Sequence, residues 1–188
     1  MIMPRSHHAS CALGSRVYFF GGLDSNQKRL NCIEWFDMEN GDRINEPFKP
    51  IAGSDDPSDI VLPRELPCFG PVSPTTIAIM GGLGEKGKLH DVVLYEIGNN
   101  EVQQSFKRVE ENIDLDFVCK TQTSTMAHKD GIIALVKSSD KGNCFVSYSI
   151  PDGGYDSDEE AENAVGDNNA LEADKPKVTG FKVLTENL

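Results

Sequence analysis

The feature that most constrains this chain is a unit of strand, double glycine, polar loop and second strand. It is written out in full at residues 16–38. Val17, Tyr18, Phe19 and Phe20 are consecutive β-formers. Gly21-Gly22 ends them, because two glycines allow a bend with positive φ that a β-branched residue cannot adopt. Residues 24–29 are polar. From Cys32 to Met38 the chain is again apolar and strand-forming, and Asn40-Gly41 supplies a turn.

The unit recurs. A second copy runs Thr76-Ile-Ala-Ile-Met80, Gly81-Gly82, a polar loop, then residues 90–97. A third runs Ile132-Ile-Ala-Leu-Val136, Lys137-Ser138, a polar loop, then residues 143–150. Phe36, Tyr95 and Tyr148 align, each two residues before Met38, Ile97 or Ile150. Asn40-Gly41, Asn99-Asn100 and Asp152-Gly153 then follow at matching turns. Gly21 to Gly81 is 60 residues, and Gly81 to the aligned Lys137 is 56. A period near 50 residues built from short strands points to a propeller rather than to a helical repeat.

These residues resemble the kelch repeat. Copy one is the fullest match, with Pro4-Arg5-Ser6-His7-His8-Ala9, then Val17 to Gly22, then Ile33 to Asp37. Copy two keeps the double glycine and Tyr95-Glu96, and on this reading lacks the Arg and His. Copy three keeps Tyr148 and carries Lys137-Ser138 where the glycines would stand. The family closes a blade with an outer-strand Trp, for which Phe48, Phe106 and Phe181 stand in. The structural motif is therefore Arg5, His8, Gly21, Gly22, Phe36, Gly81, Gly82, Tyr95 and Tyr148.

The expected fold is all-β, with three four-stranded antiparallel kelch-type blades in an incomplete or open propeller. Residues 1–50 form blade 1, 51–67 a Pro-rich linker, and 68–109 blade 2. Residues 110–116 form an acidic connector and 117–151 the inner strands of blade 3. Residues 152–176 read as an acidic disordered insertion, and 177–188 as the outer strand of blade 3. Inside blade 3, strands are expected at 117–127, 132–136 and 145–150.

Net charge is −12, which makes nucleic-acid phosphate and anionic membrane poor partners. Nine acids lie in residues 152–174 with no Lys or Arg among them. No apolar run reaches transmembrane length, and residues 1–8 lack a signal-peptide core. Five cysteines without a C-x-x-C pair read as free thiols in a reducing cytoplasm.

Three motifs invite chemistry. Gly82-Leu-Gly84-Glu-Lys-Gly87-Lys88 fits a phosphate-binding glycine pattern. Such a pattern needs a helix to begin at the glycines. The aligned copies put a strand there, so the glycines read as a blade turn. His7, His8 and Cys11 suggest a metal, but adjacent strand residues point to opposite faces. Ser157, followed by Asp158-Glu159-Glu160, resembles an acid-directed phosphorylation site. No catalytic, cofactor or metal residue is assigned, and no cofactor is expected.

The resemblance implies a binding module, an adaptor or scaffold that takes another protein on its loops. The loop residues expected to do so are Asp24, Gln27, Lys28, Arg29, Glu85, Lys86, Lys88, Asp140 and Lys141. Rival readings are an enzyme on a kelch-like propeller (a copper oxidase or sugar epimerase) and a truncated product without independent function. Three blades are too few for an ordinary closed ring. The chain is therefore expected to be part of a longer kelch domain or to close by self-association.

Overall fold

The computed structural model describes residues 1–47, 61–97, 104–110, 125–128, 131–138, 142–150 and 181–185. The acidic connector beyond 110, the 152–176 insertion, Phe48, Asp140, Lys141 and Ser157 lie outside them.

The described residues contain no helix and form three four-stranded antiparallel sheets. Blade 1 is β1 (Ala9–Leu13), β2 (Arg16–Phe20), β3 (Cys32–Asp37) and β4 (Arg43–Pro47), in that spatial order. Blade 2 is β5 (Cys68–Ser73), β6 (Thr76–Met80), β9 (Val92–Ile97) and β10 (Gln104–Glu110). Between β6 and β9 sits a small hairpin of β7 (Leu83–Gly84) and β8 (Gly87–Lys88). Blade 3 is β11 (Thr125–His128), β12 (Gly131–Ser138), β13 (Gly142–Ser149) and β14 (Phe181–Thr185).

The register confirms the aromatic alignment. Phe36 pairs with Val17, Tyr95 with Ile77, and Tyr148 with Ile132. Counting from those pairs corrects one position in the third copy. The residue matching Gly81 is Val136, not Lys137. With no glycine there to break the ladder, β12 runs on, and Ser138 pairs with Gly142.

Two apolar layers glue the three sheets together. Tyr18, Phe20, Ile33 and Trp35 of blade 1 pack against Phe69, Ile77, Ile79, Val93 and Tyr95 of blade 2. Phe20 stacks on Phe69 with ring centroids 5.8 Å apart, and Tyr18 meets Tyr95 edge-on at 6.2 Å. The opposite face of blade 2, with Cys68, Ala78, Met80, Val92 and Leu94, packs against Ile132, Ala134, Val136, Cys144, Val146 and Tyr148. Burying a large side chain of this kind stabilises by about 1.5–3 kcal/mol.

Because blade 2 is covered on both faces, every residue of β6 is buried. That is why Thr76-Ile-Ala-Ile-Met80 shows no polar alternation. Gly70 on β5 lies under blade 3, where an added Cβ would stand 2.7 Å from the Ile132 side chain. Packing runs from β1 to β5, and from β5 to β11 and β12, and among the described residues the array is not closed.

Candidate functional site

The site is built where blade 1 hands over to blade 2. The double glycine does the joining. Gly21 and Gly22 have φ of +64° and +90°. The Gly22 amide donates to the Arg64 carbonyl at 2.9 Å, and the Arg64 amide donates to the Leu30 carbonyl at 3.2 Å. An added Cβ on Gly21 would sit 2.4 Å from the Arg64 carbonyl oxygen, and one on Gly22 would sit 2.4 Å from that of Ser6. Only glycine lets the segments approach this closely.

Arg5 and Arg64 brace the same bends from within. The Arg5 Nη1 donates to the Gly21 and Cys32 carbonyls at 3.1 and 3.4 Å, and its Nη2 donates to the Glu34 carboxylate at 3.2 Å. The Arg64 Nη1 donates to the Gly81 carbonyl at 2.9 Å. Its two terminal nitrogens grip both oxygens of Asp91 at 2.7 and 2.9 Å. Copy two therefore does have its arginine, contrary to the sequence expectation. Pro63-Arg64 repeats Pro4-Arg5, and His7 and Leu66 share the same left-handed turn at φ 54° and 53°. The histidine is indeed missing, since Pro67 stands at the position of His8. Residues 61–67, expected to be linker, pack into the fold, with Val61 and Arg64 fully buried.

Two loops project from this joint on the same side. The first folds on its own acid: the Asp24 carboxylate accepts from the Asn26 and Lys28 amides at 2.8 and 2.9 Å. Gln27 takes the left-handed conformation at φ 61°, and the turn presents Lys28 and Arg29. The second is the β7–β8 hairpin, tipped by Glu85 and Lys86, which is what the glycine-rich stretch forms in place of a phosphate loop.

Between the two lies a cleft of about 400 Å³. Gln27, Lys28 and Arg29 form one wall, and Gly84, Glu85, Lys86 and Leu89 form the other. Leu62 and Pro63 supply apolar surface from the lead-in to blade 2. Such a volume falls in the range of ordinary ligand pockets. Nearby, Glu65 ties blade to blade. It accepts from Arg29 at 2.6 Å on one oxygen, and its other oxygen lies 2.8 Å from the His7 Nδ1. Neither Lys28 nor Lys86 forms an ion pair among the described residues.

Five of the expected loop residues thus share one cleft: Gln27, Lys28, Arg29, Glu85 and Lys86. Asp24 shapes the wall without lining it, and Lys88 stands exposed on β8 beside it. His8 packs its ring on Phe19 at 5.8 Å. Burial, with Arg5 beside it, holds the His8 pKa below the usual imidazole range. Burial pushes the Cys11 thiol up to about 12. Among the described residues no three His, Cys, Asp or Glu side chains gather as metal ligands. Sequence reasoning missed Leu62, Pro63, Arg64, Glu65, Leu89 and Asp91. The Pro-Arg pair was the available signal for Arg64.

Residues 4–43, which span blade 1 up to the first residue of β4, match the family model of the kelch motif. Blade 1 therefore carries a kelch motif. No curated protein matches the chain. No helix among its described residues is long and apolar enough to cross a membrane.

Proposed function

We propose that this chain is a protein-binding module, an adaptor or scaffold, and that it takes its partner protein in the cleft between the 24–29 loop and the β7–β8 hairpin. The carrying observation is the convergence of Gln27, Lys28, Arg29, Glu85 and Lys86 around an apolar floor of Leu62, Pro63 and Leu89. Two ammonium groups at the rim of an apolar floor suit a partner loop that inserts an apolar side chain flanked by carboxylates. The rim loops hang from sheets that the double glycine and the buried arginines hold rigid, as binding loops usually do. The four described cysteines, Cys11, Cys32, Cys68 and Cys144, form no disulfide with one another, which supports a partner in a reducing compartment such as the cytoplasm. The acidic balance of the chain disfavours nucleic acid or an anionic membrane as that partner.

The test is a comparative capture with three baits: the unaltered chain, a cleft variant (Lys28→Glu with Lys86→Glu), and an opposite-rim variant (Glu39→Lys with Asp42→Lys). The expected result is a set of proteins held by the first and third baits and released by the second. Capture that survives the cleft variant and fails with the opposite-rim variant would move the site to the β3–β4 end. No specific capture by any bait would overturn the module reading.

A further inference from the structure

The two outer faces of the array each repeat a face that is already mated inside it. Blade 2 turns Ile77, Ile79 and Tyr95 toward blade 1, all fully buried. The register puts Val17, Phe19 and Phe36 at the same positions of blade 1, on the side away from blade 2, where they are half-buried. Blade 2 turns Ala78, Met80 and Val92 toward blade 3, again fully buried. The matching positions of blade 3 are Ile133, Leu135 and Phe145. Its face away from blade 2 also carries Met126, paired with Ile133. Phe145 is 37% exposed and Met126 is 62% exposed.

The blade 1 face departs from the apolar pattern at Ser10, paired with Phe19, at Arg43, paired with Phe36 and lying over its ring, and at Glu34. Glu34 holds the position that Val93 holds in blade 2. Its charge is already matched by Arg5, and the residue is only 2% exposed. A neighbouring sheet would therefore cover a neutralised pair rather than a bare carboxylate.

We propose that two copies of this chain join head to tail, with the free face of blade 3 on each copy seated against the free face of blade 1 on the other, to close one ring. The occupant follows from the kind of face. The leading and trailing faces left open among the described residues are the two kinds that mate twice within the chain, and a second copy presents both. The contact is heterologous, and such contacts generate closed rings when the rotation per copy divides the circle. Two copies of three blades give six, inside the four to eight of closed propellers.

Sedimentation velocity of the full chain at micromolar concentrations tests this. The expected species has twice the 20.6 kDa chain mass and grows no further with concentration. Phe19→Glu and Phe145→Glu should each fall to the single-chain mass with an unchanged far-UV spectrum. Met126→Glu repeats the blade 3 arm at a side chain with little packing to lose. Mixing the Phe19→Glu and Met126→Glu chains should restore the two-copy species, because one of the two junctions then joins unaltered faces. A single-chain mass for the unaltered protein would overturn the proposal. So would open-ended growth with concentration, or a dimer insensitive to the blade 1 substitution.

Discussion

Arg5 and Arg64 occupy the same place in successive blades, yet they are not equally well held. Both reach the carbonyl of the first glycine in the bend. Arg64 lies between two sheets, fully buried, and each of its three guanidinium nitrogens donates to a named partner: Asp91 by both oxygens, Gly81, and Leu62 through Nε at 3.2 Å. Arg5 lies on the open side of blade 1, and its buried Nε meets no acceptor among the described residues. Its acid has also moved. Cys32 stands where blade 2 has Asp91, and the carboxylate comes from Glu34, two residues along, which also accepts from the amides of Ile2 and Met3. One brace is thus closed on itself, and the other is shared with the chain terminus. The same bend is kept by a fixed element, the guanidinium on a glycine carbonyl, while the counter-charge is free to change position.

The largest expected effect breaks the stronger brace. Arg64→Met should cost about 3–5 kcal/mol, since it removes the guanidinium that neutralises Asp91 inside the fold. Arg64→Met with Asp91→Leu should recover much of that loss. Arg5→Met should cost less, about 1–3 kcal/mol, because Glu34 keeps its terminal donors. Urea midpoints order the three. A loss at Arg5 equal to that at Arg64 would erase the contrast.

Next come the bends that the braces support. Gly22→Ala and Gly82→Ala should each lose about 1–3 kcal/mol, because both positions have positive φ and a backbone oxygen in the way. The approach is closer at Gly22, 2.4 Å to the Ser6 oxygen against 2.7 Å to that of Glu65 at Gly82, so Gly22→Ala should be the worse. Thermal melts of the pair decide it, and the reverse order would show that the first bend yields more easily than its geometry implies.

How much of this was legible in the residues can be argued from the same parts. The three aromatic positions could be aligned because the side-chain pattern and the turn-forming residue types after it recur in the sequence of every copy, and the pairings of Phe36, Tyr95 and Tyr148 agree with that alignment. The third copy slips by one because it has no glycine to mark where the strand should end. Arg64 was hidden by Pro57, Pro63 and Pro67, which read as a spacer, although Pro63-Arg64 repeats Pro4-Arg5. The polar walls of the cleft were readable as exposed loop. Its floor was not, because Leu62, Pro63 and Leu89 meet only through the way two blades abut.

The smallest expected effect lies at the opposite rim, where an acid is held by amides instead of a buried arginine. Asp37 accepts from the Asn40 and Glu39 amides at 3.2 and 2.9 Å, and from Arg16 at 3.2 Å. These donors, the amides first, hold its carboxyl below the usual carboxylate range. A lowered folded pKa adds stability above the unfolded value and loses it as pH falls through the folded one. Asp37→Asn should therefore flatten the fall in urea midpoint below about pH 4 and change the neutral midpoint only modestly. An unaltered acid slope would mean that the rim turn forms without the charge.

The burial of β6 on both sides has a consequence for how the chain folds. Hairpins such as β5–β6 bring together residues close in sequence, so they can form early. The middle sheet, however, finds apolar cover only when both neighbours have arrived, and among the described residues neither neighbour has a second sheet of its own copy to lean on. Partly folded chains with one or two finished sheets should therefore be sparsely populated. Melting should follow a single transition whether it is watched at Trp35 in the first sheet or by a probe placed in the third.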